Sequence, residues 1–230
     1  MFSNFDFNVI VRTLPYLFFE GMRFTLTLTA MATLGGVVLG TLLAMMRMSG
    51  RPLLPGVAAS YSNLMRSLPL VLVIFWFYFL IPYVGQWVTG GSRPIAVGAF
   101  MSAFVTFTLF EAAYFSEIMR AGIQSVSRGQ AAAGYALGLT YWQVMGHIVL
   151  PQAFRNMLPV LLTQTIILFQ DTSLVYVLSI TDFLGAASKI AQRDGRLVEM
   201  YLFAAVVYFL ISFALSRVVK RLQTETAIPH

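Results

Sequence analysis

Two acidic residues, Glu111 and Asp171, stand inside apolar runs that hold almost no other charge. An ionisable side chain at membrane depth is costly and usually faces a partner or a water-filled path. Around Asp171 the polar residues repeat at helical spacing. Gln164 and Asp171 are seven residues apart, as are Thr163 and Gln170, and Thr172 and Ser173 extend the stripe. Seven residues are about two helical turns, so these side chains share a face. Such a face has two readings. It is either interhelical hydrogen bonding that holds subunits together, or the lining of a solute path. Glu111, with Tyr114 one turn on, admits the same two readings, with the Asp171 region as its expected counterpart. Glu117 and Arg120 stand at i,i+3 in the favourable order. A local ion pair closing the helix is favoured there over a ligand role.

Most catalytic chemistry is excluded by composition. The chain has no cysteine, and its two histidines are His147 and the terminal His230. Thiolate metal sites, disulfides and histidine-built catalytic sites therefore have no material. A phosphate-binding loop needs Gly-Lys-Ser/Thr after a glycine-rich turn. The only lysines, Lys189 and Lys220, follow Ser188 and Val219. No cofactor or metal is expected, and any ATP-driven step must be carried out by another polypeptide.

The 230 residues are 58% hydrophobic and 10% charged, with a mean hydropathy of +0.78. A soluble domain carries about 25% charged residues. So much apolar surface cannot be hidden in one core of this size, and the expected solvent is lipid. Helices are the expected spanning elements, because they satisfy every backbone polar group within one segment. A hydrocarbon core of about 30 Å needs about 20 helical residues. Five runs qualify, giving spans near 22–46, 68–88, 94–119, 157–181 and 198–217. Gly36 and Gly40 form a GxxxG in the first, most often a sign of close helix packing. The opening residues lack the basic n-region of a signal peptide, and the first span is expected to serve as the insertion signal.

Lysine and arginine counts give the orientation. Arg47, Arg51, Arg66, Arg120, Arg128, Arg155, Arg217, Lys220 and Arg221 fall on one side. Arg12, Arg23, Arg93, Lys189, Arg193 and Arg196 fall on the other, diluted by five acids. The richer side is expected to be cytoplasmic, with the N-terminus outside and the C-terminus inside. The net charge of +6 therefore reflects topology and does not indicate nucleic acid. Residues 1–20 are expected as a periplasmic or interfacial segment, 21–217 as the membrane domain, and 218–230 as a cytoplasmic tail.

The loop 121–155 on that side is too long for a simple connection. Ser127 and Gln130 have capping-box spacing and open a short alanine-rich helix, which Gly138 closes in a left-handed cap. Thr140 and Gln143 form a second capping box opening another short helix. Pro151 is expected to end that helix, because the residue before a proline is pushed out of the α region. Ala131, Ala132, Ala133 and Ala136 make the first helix a surface that another chain can approach closely.

The intervals Ala133, Gly138, Ile148, Leu150 and Pro151 resemble the cytoplasmic E-A-A-x3-G-x9-I-x-L-P loop of ABC-importer permeases. Two positions depart: the opening Glu is Ala132 and the second Ala is Gly134. The segments RSLPLV from Arg66, FEAAYFSEIMRAGIQS from Phe110 and LFQDTSLVYVLS from Leu168 are similar to elements of polar amino-acid permeases. The last two resemble the smaller permease subunit of glutamate/aspartate importers. The resemblance covers about residues 15–220. It implies an all-α integral membrane protein of the type I ABC importer permease fold, with five transmembrane helices and a two-helix coupling loop. It implies a separate ATPase docking on that loop, a second permease subunit, a periplasmic amino-acid-binding protein, and an inner-membrane location. It makes Arg128, Gln130, Ala132, Ala133, Gly134, Gly138, Ile148, Leu150 and Pro151 the coupling residues. The polar contact that Ala132 lacks is either supplied by Arg128 or Gln130 or lost, with shape held by Gly138 and Pro151 sufficing. The rival readings are a subunit of a secondary amino-acid transporter or channel and, with less support, a membrane-embedded enzyme.

Overall fold

The computed structural model describes residues 5–226, and the side chains of 225 and 226 are left aside. Met1–Asn4 and the end of the expected tail, including His230, lie outside the described residues. The described chain is all-helical. Five helices are long and apolar enough to cross a membrane: α1 (Phe7–Met48), α3 (Leu70–Thr89), α4 (Ala99–Gln124), α6 (Tyr141–Leu178) and α8 (Leu197–Thr226). Between them lie α2 (Leu54–Ser67), α5 (Arg128–Ala136) and α7 (Phe183–Asp194).

α4 is the centre of the bundle. Of its most apolar stretch 61% is buried, against 11% for α3 and 17% for α8, so those two are left to lipid or other chains. α1 lies against α4 along a seam of small residues. A methyl added at Gly40 would stand 2.8 Å from Phe115 Cβ and 3.0 Å from the Ser116 backbone nitrogen, and one at Gly36 would meet the Phe115 ring at 2.9 Å. The GxxxG thus packs closely, as its spacing suggests. One apolar core joins Leu28, Ala32, Ile74, Phe107, Leu168 and Val175. A second joins Val9, Leu17, Phe169, Phe183, Ala186 and Met200 around α7.

Four features differ from expectation. α1 is helical from Phe7, through a π-turn at Leu17–Met22, so the segment before the first span is continuous with it. Pro15, whose ring and missing N–H disturb the ladder, stands just before that turn. α2 was not expected. It is too short to span, and only Ala58 and Ser62 are buried along it. α4 starts at Ala99 rather than Pro94, because Gly98 is extended (φ −60°, ψ 146°) and serves as the N-cap. Finally, Pro151 does not end a helix. Leu150 before it is fully helical at φ −62°, ψ −40°, and the short helix from Tyr141 runs into the fourth span as one rod. A π-turn at Met145–Val149 lets it pass. The widened turn accommodates the missing N–H and the ring of proline.

Candidate functional site: a loop crest and a polar groove

The loop at the end of α4 is built as its capping residues dictate. The Ser127 hydroxyl caps α5 by accepting from the Gly129 N–H rather than from that of Gln130. At the other end the Gly138 N–H bonds the Tyr135 carbonyl (2.9 Å) and the Leu139 N–H bonds the Gly134 carbonyl (3.1 Å). This is a Schellman motif. It needs a left-handed residue, and Gly138 has φ +79°. Thr140 and Gln143 form the expected reciprocal box: the Thr140 N–H donates to Gln143 Oε1 at 2.9 Å, and the Gln143 N–H donates to Thr140 Oγ1.

These caps fold α5 back on the start of α6. The inner contact is at Gly134, which is buried. A Cβ there would lie 2.7 Å from Ile148 Cδ1 and 2.9 Å from Val144 Cγ2. The departure from alanine at this position therefore reflects closer packing of the two short helices. Arg128, Gln130, Ala132 and Ala133 are exposed on the outer side. Beside them stands an apolar crest that spacing alone did not indicate: Leu137 and Trp142 are each 80% exposed, and Tyr135, Tyr141 and Leu150 about half. Together they form a knob with a polar rim.

The polar stripe of α6 is divided. Gln164 turns inward and donates through Nε2 to Glu111 Oε2 at 3.1 Å, and Glu111 is fully buried. Asp171 is half-buried, whereas Thr163 and Gln170 are exposed. Thr172 is buried and returns its hydroxyl to the Phe169 carbonyl at 2.7 Å. The division has a geometric cause. Gln170 and Thr172 stand one residue either side of Asp171, about 100° round the helix from its face, and from Thr172 to Leu178 the rod tightens to a 3-10 helix. The structure thus unites Glu111 with Gln164, leaves Asp171 beside them, and separates Gln170, Thr172 and Ser173 from them.

Glu117 does more than close its own helix. Arg120 donates Nε and Nη2 to Oε2 (3.1 and 2.9 Å), Arg47 from the end of α1 reaches Oε1, and Arg66 from the end of α2 lies 3.5 Å from Oε1. This carboxylate ties three helices. Its partners are 70 and 51 residues away in sequence, so no local spacing could have revealed them.

At the opposite end, Asp182 is fully buried and caps α7 through the Leu184 and Gly185 N–H groups at 3.0 and 2.9 Å. Burial pushes its carboxyl up to about 6, against the lowering effect of those N–H bonds. Next to it the Phe183 N–H donates to Thr25 Oγ1 of α1 at 3.0 Å. Asp194, at the end of α7, is held down to about 2 by Arg193 and Arg12.

Three comparisons agree with this geometry. Residues 36–227 match the family described as the binding-protein-dependent transport system inner membrane component. The chain is 53% identical over 224 residues to the glutamate/aspartate import permease protein GltK of Escherichia coli O157:H7, covering 97% of this chain and 99% of that one. It is 31% identical to the glutamine transport system permease protein GlnP of Escherichia coli K12, over 98% of this chain and 99% of that one. The structure superposes on a chain from the crystal structure of an amino acid ABC transporter with histidines at a TM-score of 0.84, with 31% identity and coverage of 96% and 98%. The MetNI methionine ABC transporter shares the fold at a TM-score of 0.75 and 18% identity. With five spanning helices, a capped two-helix loop and these likenesses over nearly its whole length, the chain belongs to the family of binding-protein-dependent transport system inner membrane components.

Proposed function

We propose that this chain is the membrane-spanning subunit of an ATP-driven importer for acidic amino acids, glutamate and aspartate. The single observation that carries the reading is the 53% identity to GltK across almost the full length of both chains. In this reading the protein sits in a bacterial inner membrane with the α5–α6 crest in the cytoplasm, the side favoured by its arginines and lysines. An ATPase subunit receives the crest in a complementary cleft. Gly138 and the Thr140–Gln143 box fix its shape, while Arg128, Gln130, Ala132, Ala133 and Leu150 meet the partner. Gly134, Ile148 and Pro151 act from below by holding α5 on α6. The Lys189 and Lys220 contexts leave ATP hydrolysis to the partner.

Five spans are few for a closed solute path. The exposed Gln170, in the apolar stretch Ile166–Gln170, is costly to leave against lipid and favours pairing with a second permease subunit, whereas the exposed Thr163 returns its hydroxyl to the Pro159 carbonyl at 2.9 Å. The path then runs along Gln164 and Asp171, with Glu111 buried behind Gln164, and a periplasmic binding protein delivers the solute. The test is reconstitution with an ATPase subunit, a second permease subunit and an amino-acid-binding protein of the same importer. Uptake of radiolabelled L-glutamate should require ATP and the binding protein. Uptake driven by an ion gradient without ATP would replace this reading with that of a secondary transporter.

A further inference from the structure

The charges at the inner end of the bundle do not balance. Three guanidiniums, those of Arg47, Arg66 and Arg120, gather on the one carboxylate of Glu117. Arg47 and Arg120 are the more enclosed, with side chains 16% and 30% exposed. Arg66 is the loosest. Its contact with Glu117 is 3.5 Å and its side chain is 42% exposed. It lies over the Tyr114 ring at 5.6 Å, which keeps the guanidinium at the groove without satisfying its N–H donors. Beside it opens a cavity of about 420 Å3, bounded by Arg66 and Glu117 on one side and by Ser125, Asn156 and Val160 on the other. That size falls within the range of about 300–1,000 Å3 usual for small-molecule sites.

The cavity continues the polar groove. On α6, Asn156, Val160 and Gln164 follow at intervals of four residues. On α4, Glu111, Tyr114, Ile118 and Ala121 follow at intervals of three and four. Residues at these spacings lie one above another on a helix face. The Glu111–Gln164 pair is therefore one turn deeper than the cavity. Its far wall is apolar at Met157 and Val160 and carries one polar pair: Asn156 Nδ2 donates to Ser125 Oγ at 2.8 Å, which leaves Asn156 Oδ1 as an acceptor. A guanidinium with donors to spare, faced across this space by amide and hydroxyl oxygens, matches a carboxylate next to an ammonium group.

We propose that this cavity is an exit subsite for the transported amino acid, in which Arg66 takes a carboxylate of the solute and Asn156 and Ser125 face its ammonium. The inference rests on the importer reading above. It adds a positively charged station to a path whose intramembrane charges, Glu111 and Asp171, are negative. Because a lipid phosphate would also suit a guanidinium, the test separates the two sources.

The complete importer is reconstituted with its ATPase facing outward and the binding protein inside the vesicles. L-glutamate added outside then reaches the exit side. It should slow the ATP-driven release of labelled glutamate from the vesicle lumen by occupying the subsite, and Arg66→Gln should raise the half-inhibitory concentration about tenfold or more, as expected for a lost charge-assisted bond. Asn156→Leu, which removes the amide oxygen that faces the ammonium, should act in the same direction without touching the Glu117 cluster, and it serves as the test if Arg66→Gln does not assemble. Equal inhibition of wild type and Asn156→Leu overturns the subsite. An Arg66 effect seen only in vesicles containing anionic lipid assigns the cavity to a headgroup and also overturns it. Failure of the wild-type complex to import glutamate at all would instead sink the importer reading.

Discussion

α1 and α6 are the two long rods of the molecule, and each passes through a π-turn, but they present opposite faces to their surroundings. α1 buries Thr25, Leu28, Thr29, Ala32, Gly36, Gly40 and Ala44, spaced mostly three or four apart, along one narrow line. Its polar members are satisfied at once: Thr29 donates back to the Thr25 carbonyl at 2.8 Å, and Thr25 accepts from Phe183 N–H. α6 instead leaves Trp142, Leu150, Phe154, Val160, Ile167 and Gln170 outward. Small residues make α1 a fixed wall against α4 and α7. Large and polar ones make α6 a surface that is incomplete without other chains. The π-turn of α1 seats Gly21 against the start of α7, where an added methyl would lie 2.9 Å from Phe183 Cα. The π-turn of α6 passes Pro151 and joins the loop crest to the spanning rod.

If that contrast is right, the largest loss follows from enlarging the wall. Gly40→Leu drives a side chain into Phe115 and into the backbone at Ala112 and Ser116, which cannot turn aside as a side chain can. Overpacking of this kind costs about 1–3 kcal/mol or more. The expected result is little folded protein in detergent and a lowered Tm for what remains. Gly56→Ala, where nothing lies within 4 Å, should match wild type. A Gly40→Leu chain of normal yield and Tm would break the description of α1 as a tightly packed wall.

The end of the same wall that meets α7 has a pH signature. Asp182 has its carboxyl pushed up to about 6, above an unfolded value of about 3.9. A raised acid binds its proton more tightly when folded, so stability is fully present below about 4 and declines as pH rises through about 6. The upper bound, two pK units, is about 3 kcal/mol. Asp194 is shifted the other way, to about 2, and loses its contribution only below pH 4. The two windows do not overlap. Asp182→Asn keeps a good N-cap without a charge, so its Tm should vary less than wild type between pH 4.5 and 7. A wild-type Tm that does not fall over that range would refute the assignment.

On the crest, Gly138 has φ +79° with nothing within 4 Å of its missing Cβ, so a substitution meets strain but no clash. Gly138→Val should cost about 1–2 kcal/mol locally and tilt α5 relative to α6, with the spans intact. The expected outcome is a membrane-inserted chain that no longer co-purifies with its ATPase. Gly138→Asn, which tolerates the left-handed region, should retain most of that association. Equal retention by Val and Asn would separate crest geometry from docking.

What was legible in the sequence was local. The caps at Ser127, Gly138 and Thr140 operate within three to five residues, and the spans are continuous apolar runs, so both could be read from spacing. The reading of Pro151 failed because a proline rule that holds for α-helices gives way when the ladder widens to a π-turn. α2 is fourteen residues long, too short to count as a span, and its signal is an amphipathic one that a search for continuous apolar runs passes over. Seven-residue spacing relates Gln164 to Asp171 and Thr163 to Gln170 but not one pair to the other, so which of them turn inward is visible only in the packed bundle. The Glu117 cluster joins residues from three helices, and only the assembled bundle brings Arg47 and Arg66 to it.

The smallest effect on stability, and the sharpest test of the contrast, is Asp171→Asn. Asp171 is half-buried at the end of the α-helical part of α6, on the face that carries Gln164. Asn keeps the volume and most hydrogen bonding and removes only the charge. If Asp171 serves as interhelical glue, like the buried polar groups of α1, the change should cost about 0.6 kcal/mol, the average for such bonds within membranes, and uptake should follow the yield of complex. If the α6 face lines the path, the carboxylate contributes to the field that the solute crosses, and uptake should fall several-fold while subunit stoichiometry holds. The measurement is radiolabelled glutamate uptake per mole of intact complex. The ratio should drop for Asp171→Asn and stay at wild type for Thr29→Val, which removes a satisfied hydroxyl from the wall. Wild-type uptake per complex in both variants would place Asp171 with the residues that hold the bundle together, and the path would then have to run elsewhere on the exposed side of α6.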